Sequence, residues 1–307
     1  MRAIGDILGQ EAIAERSPTP MQRRLLKAGC AIRDAPPDRI AFVHSAFCHV
    51  GLPRKASDDR VFERRSGHVN IRIEAGSSSD GIGKREPQLP YGVLPRLILI
   101  HLSTESVRTR SRRVDFESTR HLLTTLGLQT SGGARGGYRN VPCQLEALST
   151  FRISLGFQAD GLSAGVECEP VELVGVPWRS PERSDSTRRI VLQLSEPFYA
   201  SLIERAVPFD PRALAALKHS ALAIDVYAWL AHRLCRVNRV QGSKVSWYNL
   251  REQFGQEYRN SRDFKREMRR AVRQAIVVYP AARVAEVVGG LVLYRSPPPI
   301  STKHAHP

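Results

Sequence analysis

The chain has 307 residues, enough for about two domains with real cores. Lys and Arg total 46 against 30 Asp and Glu, a net charge of +16, and 39 of those cations are Arg. With 42% hydrophobic and 25% charged residues, the composition excludes a wholly disordered tail, a collagen-like chain and a disulfide-dense scaffold.

Arginine is suited to planar, bidentate contact with phosphate and guanine. A GC-rich genome also raises Arg content without selection for binding, so composition needs support from position. The five cysteines, Cys30, Cys48, Cys143, Cys168 and Cys235, form no Cys-x-x-Cys pair and read as free thiols in a reducing compartment. Val93 to Leu102, the most apolar run, is too short to span a bilayer and carries Arg96 and His101. The N-terminus lacks a sustained apolar stretch of the secretory kind. The expectation is a soluble, cytoplasmic protein with no membrane partner and with nucleic acid as its polyanionic partner.

Residues 1–37, with Ser17-Pro18-Thr19-Pro20 and Pro36-Pro37, read as a flexible arm. Ile40 to Gly51 reads as a short helix. Val69, Ile71 and Ile73 alternate with polar residues, which predicts a strand. Gly76 to Gln88 reads as a Gly/Ser-rich loop.

A helix is predicted over Pro95 to Val107, a short strand in SRRVDF, and a second helix over Ser118 to Leu126. The glycine-rich turn SGGARGG follows. A third helix is expected over Val141 to Leu148, then strands at Phe151 to Phe157, Val171 to Trp178 and Arg188 to Ser195.

The same order recurs later. A long helix is predicted over Ala213 to Val237, a strand in KVSW, and a short helix over Leu250 to Phe254. Another helix covers Ser261 to Ile276, and a hairpin is expected to turn on Gly289-Gly290. Helix, strand, helix, helix, hairpin is the order of a winged helix. The fold class is therefore α+β, two winged-helix domains in tandem. Residues 38–205 form the first, with an extension before it, and 206–296 the second. A disordered tail is expected over 297–307.

The predicted helix from Ser261 carries the argument. Arg262, Lys265, Arg266, Arg269, Arg270 and Arg273 recur at helical spacing and fall on one stripe. Phe264, Met268, Ala271, Val272, Ala275 and Ile276 fall on the other side, and Ser261 is positioned to cap the helix. Six like charges on one face repel unless a polyanion relieves them. A helix in this position of a winged helix enters the major groove. Tyr258, Arg259 and Asn260 just before it, and Arg283 near the hairpin, are candidate backbone contacts. An amphipathic helix with a merely solvated basic face would carry the same pattern. In the first unit, Arg135 and Arg139 are candidate phosphate contacts, and its third helix is weakly charged.

Other constellations point to structure. His44, Cys48 and His49 lack the further ligands a zinc site needs. Gly132, Gly133, Gly136 and Gly137 lack the following Lys-Ser/Thr of a phosphate loop. Tyr258 and Tyr279 have no His-rich metal motif to make them nucleophiles. No catalytic residue, metal site or cofactor is assigned, and the expectation is a protein without enzymatic activity.

The sequence resembles plasmid-encoded replication initiators of the RepA type. The resemblance is carried by LPRK at Leu52, IRIEAG ending at Gly76, and LPYGVLPRLILIHLSTESVRTRSR from Leu89 to Arg112. FESTRHLLTTLGLQTSGG ending at Gly133 and AIDVYAWLAHRL from Ala223 to Leu234 add to it. It implies binding to repeated double-stranded sites (iterons) at a plasmid origin in a bacterial cytoplasm, and opening of the adjacent duplex. It also implies recruitment of the host initiator and replicative helicase, homodimers in some settings, and a part in copy control. A winged-helix transcriptional repressor is the alternative, and a nucleic-acid-processing enzyme a more distant one.

Overall fold

The structure is a computed structural model that describes residues 18–66, 69–76, 88–130, 137–159, 162–175 and 189–300. It mixes helices and antiparallel sheets. The expected loop at 76–88 and glycine turn at 131–137 lie largely outside the described residues, as do residues 1–17 and 301–307.

The lead-in contains a helix, α1 (Pro20–Asp34). Thr19 caps it in a reciprocal pair with Gln22, and Pro20 sits at its start. Residues 20–34 were expected in a flexible arm because the flanking prolines resemble loop punctuation. They instead supply a helix start and stop. The segment expected as one helix from Ile40 splits into β1 (Ala41–His44) and a single turn, α2 (Ala46–His49). β1 extends because it pairs antiparallel with β9 (Ala206–Phe209), a partner distant in sequence.

Strands β2 (Val61–Ser66), β3 (Val69–Glu74), β5 (Arg152–Ala159) and β6 (Leu162–Cys168) form one antiparallel sheet in that order. Around it lies the first repeated unit: α3 (Val93–Thr109), β4 (Arg113–Phe116), α4 (Thr119–Thr125), α5 (Gly137–Thr150), β7 (Val171–Gly175) and β8 (Ile190–Leu194). Its sheet runs β4-β8-β7. After α6 (Glu196–Arg205) and β9 come α7 (Pro211–Leu217), α8 (Ala221–Arg233), β10 (Ser243–Ser246), α9 (Trp247–Phe254), α10 (Ser261–Val277), β11 (Val284–Val287) and β12 (Gly290–Leu293). This sheet runs β10-β12-β11, so the two units share both element order and strand order.

The long helix expected over 213–237 is two helices. Asp210 caps α7, and the Ser220 hydroxyl accepts the Ala223 N–H to start α8. The Ser220 cap breaks an apolar pattern that is otherwise continuous. The hairpin β11–β12 turns on Val288-Gly289, one residue earlier than expected. Gly289 supplies the positive φ of 88°. Gly290 lies in β12, where a Cβ would overlap the Val245 carbonyl.

A buried ion pair joins the halves. Arg96 of α3 meets Asp225 of α8 through Nε to Oδ1 at 2.7 Å and Nη2 to Oδ2 at 2.7 Å, with both side chains buried. The remaining Arg96 N–H groups donate to the carbonyls of Leu52, Pro53 and Gly92. Gly51 backs onto Asp225, leaving no room for a Cβ. Around this clamp, Arg54 pairs with Glu257 at 2.9 Å and donates to Phe254 O at the end of α9. Arg64 donates to Gln256, and Gln253 to His49 O.

The core of the second unit also takes in Leu25, Ala41 and Val43 from the start of the chain. Gly29 lets α1 approach α10 so closely that any Cβ would strike the Val277 carbonyl. Arg212 bridges the Asp210 carboxylate to the carbonyls of Ala31 and Ala35 at the end of α1. At the other end of the chain, the expected disordered tail begins with ordered residues. Pro297 accepts from the Tyr279 hydroxyl at 2.6 Å, and Ile300 is buried.

The Asp225→Ala variant should lose about 3–5 kcal/mol in denaturant unfolding, because Arg96 would stay buried without its partner. Replacing Arg96 and Asp225 together by Met and Leu should recover most of that stability.

Acid should destabilise the fold. Burial, and then Arg205, lowers the His44 pKa to about 4. Burial, and then Arg236, lowers that of His232 to about 3. Unfolded histidines take up protons near pH 6.5 that these two refuse, so their contribution is full above that pH and falls as pH drops toward 4. Thermal melts at pH 7 and 4.5 should show the decline. His44→Asn, which keeps an acceptor for the Ala46 N–H, should flatten it.

Candidate nucleic-acid interface

Helix α10 follows the short helix α9 and leads into the β11–β12 hairpin. Its apolar side is fully seated, with Phe264, Met268, Val272 and Ala275 at 0% exposure. Asn260, not Ser261, caps it. The Asn260 Oδ1 accepts the Asp263 N–H at 2.8 Å, and Nδ2 donates to the Asp263 carboxylate at 2.8 Å. Ser261 accepts from Arg251 instead. Both residues are good caps, and the burial of Phe264 selects the register. Asn260→Ala should lower stability by about 1 kcal/mol in thermal or denaturant unfolding, while Ser261→Ala should change it far less.

The predicted stripe of six cations separates into two groups. Arg262, Arg266, Arg270 and Arg273 are exposed and succeed one another along one face. Arg262 and Arg273 make no ion pair among the described residues. Arg266 contacts Asp263 at 2.9 Å and Glu267 at 3.3 Å, and Arg270 lies 3.9 Å from Glu267. Those acids belong to the same helix, and Arg266 and Arg270 remain 67% and 58% exposed. Such exposed pairs contribute little and are easily exchanged for a phosphate.

Lys265 and Arg269 form the second group, on the flank nearer the hairpin, and are partly buried. Arg269 donates through Nε and Nη2 to Glu286 of β11, at 2.9 and 2.7 Å. Its guanidinium also lies 5.1 Å from the Trp247 ring centre. Sequence periodicity places Arg269 in one stripe with the other five cations. Glu286 enters from another element and could not be anticipated from the helix alone.

The other expected contacts divide similarly. Arg259 is exposed and makes no ion pair among the described residues. Tyr258 is partly buried between the Arg54 guanidinium at 5.0 Å and the Phe264 ring at 5.7 Å, so it packs the joint between units. Arg283 lies at the base of the hairpin, opposite Tyr294 and away from the Val288-Gly289 turn. Arg135 lies outside the described residues, and Arg139 belongs to α5 with its side chain outside them. Gln144 of α5 is buried, its Oε1 accepting the Tyr91 N–H. Sequence reasoning missed Lys244 and Tyr248. Both are exposed, and Lys244 Nζ approaches the hairpin turn at Gly289.

His44 and Cys48 are packed within the fold. His44 stacks on Phe198 at 5.0 Å and bonds to Ser201, while Cys48 is buried. No group of His, Cys, Asp or Glu among the described residues can hold a metal ion. No helix among them is long and apolar enough to cross a membrane.

Comparison with known proteins agrees with this architecture. The crystal structure of domains 2-3 of RctB superposes with a TM-score of 0.50 at 14% identity, covering 81% of this chain and 94% of that one. A selenomethionine derivative of the same two domains gives 0.48 at 13% identity, covering 81% and 95%. At 14% identity the first of these likenesses is one of fold alone. No curated protein matches the chain significantly. The family model for plasmid-encoded RepA protein matches residues 89–249, just over half the chain. That span runs from the α3 segment through the buried α8 to the start of α9, and the chain belongs to the family of plasmid-encoded RepA proteins, replication initiators.

Proposed function

We propose that this protein is an initiator that binds repeated double-stranded sites at its plasmid origin through the second unit, using α10 as a major-groove recognition helix. The observation that carries the reading is the exposed row Arg262, Arg266, Arg270 and Arg273 on a helix seated between α9 and a hairpin. The shared strand order of the two units supports a tandem winged-helix architecture. The N-terminal residues of α10 are placed for base edges, and Arg270 and Arg273 for phosphate. Arg259 and Lys244 extend the phosphate track on either side. Arg135 and Arg139 of the first unit supply a secondary contact. Duplex opening, recruitment of host replication proteins and homodimer formation are the roles that family membership adds. No catalytic step is part of the reading.

The test is binding to the DNA flanking the gene against scrambled duplex over a range of salt concentrations. The parent should prefer its own flanking DNA. The Arg262/Arg266/Arg270→Ala variant should bind both duplexes more weakly, with a log–log salt slope shallower by about 0.9 for each phosphate that is no longer neutralised. A variant that binds as tightly and selectively as the parent would reduce α10 to a solvated basic face.

A further inference from the structure

Arg269 differs from every other cation on α10. Its neighbours at 266 and 270 pair only with acids of their own helix, a turn or less away. Arg269 is instead held by Glu286 from the hairpin strand β11, with Nε at 2.9 Å from one carboxylate oxygen and 3.1 Å from the other, and Nη2 at 2.7 Å. The Trp247 ring, itself buried, lies beneath the guanidinium at 5.1 Å. Trp247 is tied in turn to the hairpin, its backbone N–H donating to Gly289 O at 2.9 Å. The three residues come from α10, β11 and α9, so the contact locks recognition helix, hairpin and preceding helix into one body.

The carboxylate occupies the Nε–Nη2 edge of the fork, one of the two edges through which a guanidinium takes a phosphate bidentately, and its charge is neutralised there. An acid placed there satisfies the arginine internally and equally on any DNA sequence. It also fixes the angle between the hairpin tip and α10. A helix that grips phosphate with every cation binds all sequences well and discriminates poorly, since phosphate contacts carry no sequence information.

We infer that Glu286 is a specificity-determining residue of the proposed DNA interface: it withholds Arg269 from phosphate and fixes the hairpin against α10, suppressing binding to non-cognate duplex. The inference rests on the DNA-binding reading and names a residue that works against affinity there. Lys265, beside Arg269, has no such partner among the described residues and serves as the comparison cation.

The experiment measures salt-dependent binding of full-length Glu286→Gln, Arg269→Ala and the double variant to the gene-flanking duplex and to scrambled duplex. Glu286→Gln should tighten binding to scrambled DNA and steepen its log–log salt slope by about 0.9, because one cation is released to phosphate. The preference for the flanking duplex should fall by roughly tenfold, the size of one good base-reading contact. Arg269→Ala alone should leave the slope on scrambled DNA unchanged, whereas Lys265→Ala should make it shallower. In the double variant the steepening should vanish, since the released side chain is gone.

If Glu286→Gln steepens the slope equally with Ala at 269, the effect is merely the removal of a negative charge near DNA, and the inference is overturned. The same holds if Glu286→Gln keeps the parent's preference. Circular-dichroism melts identify a variant that no longer folds, in which case Glu286→Asp, which keeps the charge on a shorter arm, takes its place with intermediate changes expected. A parent that shows no preference between the duplexes would instead defeat the DNA-binding reading itself, a result separate from either outcome for Glu286.

Discussion

The buried Arg96–Asp225 pair is the constraint around which the contacts between the two halves are arranged. A buried ion pair carries a large desolvation cost, and it is tolerated only where the geometry satisfies both partners. Here the guanidinium uses all its donors, three directions on backbone carbonyls of the 52–53 segment and Gly92 and two on the carboxylate. The pair therefore fixes α3, α8 and the chain leading into β2 relative to one another, and Gly51 is small because the carboxylate stands where its side chain would be. Apolar residues could fill the same volume. They would not specify the same angle between units, because apolar packing is less directional than five hydrogen bonds from one guanidinium.

Helix α10 shows how charge is apportioned along an exposed face. Its apolar side is seated in the core, so its orientation is set by packing and not by the cations. The exposed arginines are then free to be used, and the acids beside them keep their repulsion within bounds while leaving them open to solvent. One arginine is taken out of that pool by the hairpin. The surface is thus less basic than a count of its cations implies, and its basicity is arranged in a line with a quiet flank.

Much of this was legible in the sequence because it is local. The apolar spacing that defines α3 and α10, the alternation of β3 and the glycine turn of the hairpin each depend on residues within a few positions. What escaped depends on partners far along the chain. β1 reads as helix until β9 arrives to pair with it, and β6 does not stand out as a strand because its pattern matters only beside β5. The split between α7 and α8 hinges on Ser220, one polar residue in an apolar run. For the interface, periodicity found every cation on α10 but could not sort them, since Glu286 and Trp247 reach Arg269 from other elements. Tyr258 was visible as an aromatic beside the helix, while Arg54, which covers it, stands about two hundred residues earlier.

The packing of α1 has a consequence for how the chain is made. A helix from the first tenth of the sequence closes the core of the last third, through Gly29 against Val277 and Arg212 against the end of α1. During synthesis from the N-terminus, α1 and β1 emerge long before the elements they cover exist. The intervening unit has to collapse while these two segments wait with their apolar faces open. Contacts of such wide sequence separation form late, after the loop-closure entropy has been met. The last core to be completed is therefore the one that carries α10, and a nascent or truncated chain has a formed first unit before the exposed arginines of α10 are seated.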